Sequence, residues 1–507
     1  MPEFVVFAVK IALVAALLMA ANFSLHAAKY HYYSKKWNTE PIKNHRNVFQ
    51  TLPTFFDGSN STSSGFFLQK LTEKFEKTQT NAFSLTVPLM KQLILSRSPQ
   101  VMKAVFSTQV NDFNLGVRRP AFGPLLGNGI FASEGRQWKH SRTLLKPQFA
   151  REQVGHVKML EPHVQMLARQ IQKSGGEMVD MELMFYGFTL DAATHFLFGE
   201  SVDVLKEDVK QWGAGFDQSL GFVGSYLAKR SSLFDFYWMA NSRQFRQSIR
   251  SIHDYTNRFV DKALALKPEE IEERSKKGYI FLYELVKRTR NPVEIRDELL
   301  NILIAGRATT AALLSAALME LAQNPEIWRK LRSEVFMYFG KGETSEEIDS
   351  ITFESLKKCT YLKWVVNETL RLWPPVPSNL REAVKDTTLP AGGGLNGKAP
   401  VFIPKGTIIV VMLFCIHRSE EFYGPDANAF SPERWERLSK IGWAFMPFGS
   451  GPRICLGQQF ALTEVSYVLV RLAQMFETLE SGIGEYPPKT LANAVLKFTE
   501  GVKVKVM

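Results

Sequence analysis

Apolar positions along this chain fall into three patterns. From Phe4 to Leu25 nearly every residue is apolar, with an unbroken run from Ile11 to Ala21 and Lys10 as the single charge inside it. About 20 such residues suffice to cross a bilayer. A second stretch, Glu294 to Ala322, is rich in Leu, Ile and Ala, interrupted by Gly306 and the Thr309-Thr310 pair and ended by Asn324-Pro325. It predicts a long helix, and one that is apolar nearly all round must be buried. Between Thr387 and Val411 the pattern changes to short β-branched runs punctuated by Gly392 to Gly394, Pro400 and Pro404-Lys405-Gly406, as hairpins require. The coarse result is a mainly α protein with a smaller β region.

The first stretch reads as a membrane anchor over residues 1–28, in which Lys10 bends its amine towards the headgroups. A cleaved secretory signal would show a similar apolar run. Lys29, Lys35, Lys36, Lys43 and Arg46 follow directly, and this positive charge favours a cytosolic location for everything after it. The sequons at Asn60 and Asn367 are then chance matches. Residues 29–100 read as a connector and the start of the catalytic body, and residues 101–507 as the body itself, with no internal repeat and no evident linker.

Lysine and arginine number 62 against 50 aspartates and glutamates, so the surface attracts anions: acidic lipid or an acidic protein partner. Nucleic acid is a poor fit, because the basic residues are scattered and no nucleic-acid-binding motif occurs. The 38 phenylalanines can line a pocket for a greasy ligand or simply fill a core. Only three cysteines occur, Cys359, Cys415 and Cys455, far apart and without CxxC spacing. Neither a disulfide framework nor a zinc site follows from them.

One of the three sits in a distinctive loop. Phe448-Gly-Ser-Gly451-Pro-Arg453-Ile-Cys455-Leu-Gly457 places a thiol between glycines, with a cation two residues earlier and a helical run from Gln458 to Met475 behind it. Glycines allow a tight turn and close approach to a flat cofactor, and the arginine can pair with an acidic group on it. Backbone amides and the start of the following helix favour the thiolate.

This string resembles the haem-binding signature FxxGxRxCxG of the cytochromes P450, matched at every specified position. The resemblance implies the cytochrome P450 fold, with haem b between the long distal helix (about 294–322) and the Cys455 loop, and Cys455 as axial thiolate ligand. A thiolate pushing electron density onto the iron favours O–O cleavage. Glu368 and Arg371, three apart on a helix stopped by Pro374-Pro375, resemble the family's ExxR motif, and Pro432-Glu433-Arg434-Trp435 its PERF-like partner. In the family these give a buried triad, here Glu368, Arg371 and Arg434. Trp138 and Arg142 match the family's WxxxR helix, and Arg381 and Arg453 two further positions near the haem propionates.

Ala305-Gly306-Arg307-Ala308-Thr309-Thr310 resembles the oxygen-activating motif of the distal helix. Thr309 falls where a hydroxyl passes protons to bound oxygen; a hydrogen bond back to the Ala305 carbonyl is the structural alternative. Ala308 stands where the family carries an acid. Three outcomes are open: Thr309 with ordered water suffices, a substrate group supplies the proton, or the chain uses peroxide or performs a rearrangement. A haem-binding protein without catalysis is a further alternative.

The string from Gly442 through Cys455 to Glu464, with Ala-Gly-Arg before Ala308, looks most like the fungal alkane and fatty-acid terminal hydroxylases; the family resemblance runs from about Pro120 to Phe476. It implies O2 chemistry on a hydrophobic, aliphatic substrate at the endoplasmic reticulum membrane, with a single span and the body facing the cytosol. No GxGxxG or P-loop precedes a strand-to-helix turn, so electrons must come from another protein, an NADPH–cytochrome P450 reductase.

Overall fold

A computed structural model describes residues 27–43, 45–46, 65–85, 91–149, 157–206, 215–438, 441–492 and 494–507, with single positions between 7 and 24. The anchor expected over residues 1–28 therefore lies mostly outside the described residues. Phe7, Leu13, Val14 and Leu17 within it are exposed apolar side chains. The chain divides into two compact units.

The smaller unit comprises Met1–Pro53, Phe75–Asn114 and Leu380–Val411. Its strands are β1 (His45–Arg46), β2 (Ala82–Leu85), β3 (Leu93–Ser96), β4 (Phe113–Asn114), β5 (Asn379–Ala383), β6 (Thr387–Gly393), β7 (Ala399–Ile403) and β8 (Ile408–Val411). Six of them form one sheet in the order β1-β2-β3-β8-β5-β4. β6 and β7 pair antiparallel, Thr387 opposite Ile403, with a register shift between Leu389 and Gly393. The hairpin punctuation read from the sequence lies here, and β8 leaves that hairpin to pair parallel with β3. Arg381 on β5 is buried, its guanidinium 4.7 Å from the Phe106 ring centroid and donating to the Leu380 carbonyl at 2.7 Å.

The larger unit, Thr54–Lys74, Leu115–Asn379 and Met412–Met507, is mainly helical. Eight of its helices matter below: α1 (Arg118–Leu126), α2 (Gly135–Leu145), α3 (Met181–Phe198), α4 (Phe216–Ser232), α5 (Arg243–Ala265), α6 (Pro292–Gln323), α7 (Thr360–Leu372) and α8 (Gln458–Met475). α6 is the long apolar helix. The Asn291 side chain caps its first turn by accepting from the Val293 and Glu294 amides, Pro292 opens it and Asn324 closes it. It is long and apolar enough to cross a membrane, yet it is largely buried in protein, as a core helix should be.

The N-terminal half of α6 is less apolar than its pattern implies. Asp297, Glu298 and Asn301 are buried there. Asp297 accepts from the Asn128 amide at 3.1 Å and Asn301 from the Phe131 amide at 3.0 Å, while the Asn301 amide donates to the Leu126 carbonyl at 2.9 Å. These bonds hold the turn between α1 and α2 against α6. Glycine is required at two positions in that turn: a Cβ at Gly127 would lie 1.8 Å from Asp297 Oδ2, and one at Gly129 2.1 Å from Asn301 Nδ2.

Candidate functional site

The site is assembled from α7 outward. Glu368 and Arg371 share a face of α7, and neither reaches solvent. Arg371 binds Glu368 with two hydrogen bonds, Nε to Oε2 at 2.9 Å and Nη2 to Oε1 at 2.7 Å. Its remaining donors go to the carbonyls of His417, Ala427 and Ala429, at 2.8, 2.6 and 3.0 Å. Glu368 also accepts from Arg434 Nε at 3.3 Å, the Ser431 amide at 3.0 Å and Trp435 Nε1 at 3.0 Å. Two residues of one helix thus fix the chain from 417 to 435. Arg434 is tied in turn to Asp426 by two bonds of 2.9 Å.

From there the hold passes to the cysteine loop. The Trp435 and Phe445 rings lie 4.5 Å apart, and the Met446 amide donates to His417 Nε2 at 3.2 Å. Burial holds His417 well below the usual imidazole range, at about 3, with the Arg371 and Arg418 charges adding to the effect. It is therefore neutral and able to accept. In the loop itself Gly449 and Gly451 take φ of +69° and +68°, a left-handed backbone open to glycine at little cost. The Cys455 amide donates to the Phe448 carbonyl at 3.1 Å, closing the loop, and α8 starts just behind it.

The three cysteines differ sharply. Cys415 is buried, with the Thr72 hydroxyl 3.3 Å from its sulfur, and Cys359 is buried with its thiol pushed up to about 12 by desolvation. Cys455 alone is exposed. Surrounding protein atoms still desolvate its sulfur and raise the thiol pKa, against the Gly457 amide, which donates to the sulfur, and the nearby Arg142 charge. A solvent-reachable sulfur that is crowded by protein marks a concave surface.

Cations gather beside it. Arg142 donates to the Ile454 carbonyl at 3.2 Å and Arg453 to the Ser133 carbonyl at 3.0 Å. The Trp138 ring lies between them, 5.6 Å from the Arg142 guanidinium and 4.5 Å from that of Arg453. Arg118, at the start of α1, is a third member that no local motif marks in the sequence. Burial lowers Arg453 to about 10, helped by repulsion from Arg118 and Arg142, and burial lowers Arg118 to about 10 as well. None of the three forms a close ion pair among the described residues, although the Glu134 charge acts favourably on Arg118 and Arg453; their hydrogen bonds run to carbonyl or amide oxygens.

On α6 the turn from Ile304 to Thr309 is only part-buried, although the helix after it is buried from Thr310 to Ala322. A Cβ added at Gly306 would meet nothing within 4 Å, so there is open space beside that turn. Thr309 makes the bond back to the helix: its hydroxyl donates to the Ala305 carbonyl at 2.6 Å. Arg307 pairs with Asp217 at the start of α4, and its guanidinium lies 5.3 Å from the Tyr186 ring centroid on α3.

These features fit a flat, dianionic, metal-bearing cofactor. Three crowded guanidiniums that share a single nearby carboxylate, Glu134, call for further anionic groups, an accessible sulfur with an amide donor suits a thiolate ligand, and a polar hydroxyl borders open space on an apolar helix. The arrangement defines a haem-thiolate protein. Residues 50–506 match the cytochrome P450 family, and the chain belongs to that family. The match reaches further in both directions than the 120–476 stretch legible by eye. The chain is 48% identical to cytochrome P450 52A3-B of Candida maltosa over 94% of this chain and 92% of that protein. It is 50% identical to cytochrome P450 52A6 of Candida tropicalis, over 85% and 84%, and 48% identical to cytochrome P450 52A12 of Debaryomyces hansenii, over 87% of each. As a member, it is a haem-dependent monooxygenase.

Proposed function

We propose that this chain hydroxylates long aliphatic chains, fatty acids or alkanes, with electrons from a separate NADPH–cytochrome P450 reductase, while anchored to the endoplasmic reticulum membrane by residues 1–28. The observation that carries the reading is the exposed Cys455 sulfur, with an amide donor from Gly457, beside the arginine cluster of Arg118, Arg142 and Arg453. The chemistry a thiolate-ligated haem supplies when bound is reductive activation of O2.

The chain's own residues do the rest. Cys455 would ligate the iron, with Phe448 and Gly457 shaping the loop around it. Arg118, Arg142 and Arg453, with Trp138, would hold and orient the two propionates, the role the family resemblance also gives Arg381. Glu368, Arg371 and Arg434 keep the cysteine loop in place. Thr309 spends its O–H on a hydrogen bond to the Ala305 carbonyl, so its oxygen retains lone pairs that can accept a hydrogen bond from a donor in the open space. The apolar remainder of α6 keeps bulk water away, which protects the reduced site from wasteful side reactions.

Spectral titration with a panel of fatty acids and alkanes tests the substrate class. Displacement of water from ferric iron by long chains, followed by a terminally oxidised product with reductase and NADPH, is the expected result; no shift with any aliphatic chain would overturn it. A second reading, rearrangement or peroxide use without external electrons, rests on Ala308 and would show as turnover independent of NADPH.

A further inference from the structure

The helix that follows the expected anchor is locked onto the smaller unit. We propose that it is a rigid strut, and that it seats the smaller unit on an anionic lipid surface through two joined turns, residues 384–386 and 404–406. The proposal rests on the reading of residues 1–28 as a membrane anchor.

The stiffness is written in the sequence. Between Pro2 and Pro41 there is neither glycine nor proline, the two residues that break helices most readily. Every described position from 7 to 36 is helical. The helix stops at Asn38, whose left-handed backbone (φ +50°) lets the Thr39 amide return to the Ser34 carbonyl at 2.9 Å. Tyr30, Tyr33 and Trp37 are spaced to share one face of it. Phe402 of β7 is buried against all three, with ring centroids 5.5, 5.2 and 5.5 Å away. Just past the helix the chain is pinned again: the Glu40 amide donates to the Pro400 carbonyl at 2.8 Å, and the Gly394 amide to the Pro41 carbonyl at 3.0 Å.

Nearer the anchor the helix meets the two turns. Lys29 Nζ donates to Asp386 Oδ1 at 2.8 Å, and the Lys405 amide donates to the same oxygen at 2.9 Å. The Gly406 amide donates to the Ala383 carbonyl at 2.8 Å, so the turns form one piece. Lys29 lies four residues past Leu25, where the apolar stretch ends, which is about 6 Å along a helix. A headgroup layer is about 5–7 Å thick on each side of the hydrocarbon core. A strut that does not bend therefore holds both turns at headgroup level. They expose Val384, an apolar side chain, and Lys405. Lys385 pairs with Asp112 at 2.7 Å yet keeps 62% of its side chain exposed. Lys29 offsets Asp386 and Lys385 offsets Asp112, so Lys405 makes the balance of the patch positive, and the exposed Lys35 and Lys36 on the helix add to it. Such a balance suits anionic headgroups.

The test uses the haem-loaded full chain in vesicles of phosphatidylcholine with phosphatidylserine, carrying a nitroxide on Val384→Cys. The native thiols do not compete, since Cys359 and Cys415 are buried and Cys455 is taken as the haem ligand. Collision rates with oxygen and with a nickel chelate should place the label at headgroup level. Ala28→Pro, at an exposed position between anchor and clamp, breaks the strut without touching the body; the collision rate with nickel should then rise several-fold, to that of a label in open water. Phe402→Leu, which keeps the core filled but removes the ring stack, should move the label the same way, and so should vesicles of phosphatidylcholine alone. A label in open water in the parent overturns the seat, an unchanged depth in Ala28→Pro overturns the strut, and indifference to phosphatidylserine overturns the anionic surface. The carbon monoxide spectrum, unchanged in each variant, shows that the body is intact. Flotation separates the two readings: a chain that does not float with the vesicles has no anchor, whereas one that floats with its label in water has an anchor and no strut.

Discussion

Arg371 grips Glu368 with two hydrogen bonds of 2.9 and 2.7 Å in a place that no water reaches. The pair works because it is not left as a pair: the three remaining hydrogen bonds of Arg371 run to the segment from 417 to 435, and both oxygens of Glu368 also accept from it. A buried ion pair stabilises a fold only when its remaining hydrogen bonds are satisfied. Glu368→Ala strands Arg371 and releases Arg434, Ser431 and Trp435 together. The expected outcome is a destabilisation of about 3–5 kcal/mol and loss of haem incorporation, read as the ratio of haem absorbance to protein. A normally loaded, folded variant would contradict it.

The arginine cluster gives a prediction of opposite sign for the empty and the loaded protein. Arg118 and Arg453 are lowered by burial, and like charges crowd Arg453. Arg453→Leu relieves that repulsion, so the apoprotein should melt no lower than the parent. The holoprotein should lose haem faster to a haem scavenger. Melting curves on both forms, with transfer kinetics, check the two halves.

Thr309→Ala removes the oxygen that borders the open turn while leaving α6 intact, because the bond to Ala305 only decorates the helix. Substrate binding spectra should be unchanged. NADPH consumption should continue with peroxide replacing product, measured as the ratio of the two.

Glu464 on α8 is buried, makes no hydrogen bond among the described residues, and burial pushes its carboxyl up to about 8. Its folded pKa lies above the unfolded one, so the folded state holds the proton more tightly. The protein is then favoured below pH 4.5 as far as this group is concerned, and loses stability as pH rises from there through about 8. Glu464→Gln should remove that loss, with a gain of more than about 1 kcal/mol at alkaline pH and little change in acid. Denaturant melts at several pH values give the comparison.

Much of the site was legible because its pieces are local strings. The Cys455 loop and the Glu368 to Arg371 spacing put chemistry and geometry within one turn or one loop, and the long helix showed itself by apolarity and by the Asn-Pro that ends it. Arg118 was not legible. Its string carries no pattern, and the turn held by Asp297 and Asn301 precedes the helix that sets Trp138 and Arg142 beside Arg453. The buried polar face of α6 was hidden for the same reason, since Asp297, Glu298 and Asn301 look like breaks in an apolar run until the turn they bind is seen. Asp217 was invisible as well: nothing near Phe216 announces that a residue on α4 meets Arg307. Sequence patterns report partners along a helix or loop, and these contacts lie across the fold.

The sulfur at position 455 carries the whole account. Its most direct test is the absorption spectrum of reduced protein under carbon monoxide, for the parent and for Cys455→His. The parent should show the long-wavelength Soret band of thiolate-ligated haem and the histidine variant the shorter-wavelength band of a nitrogen-ligated one; the same band from both would contradict it.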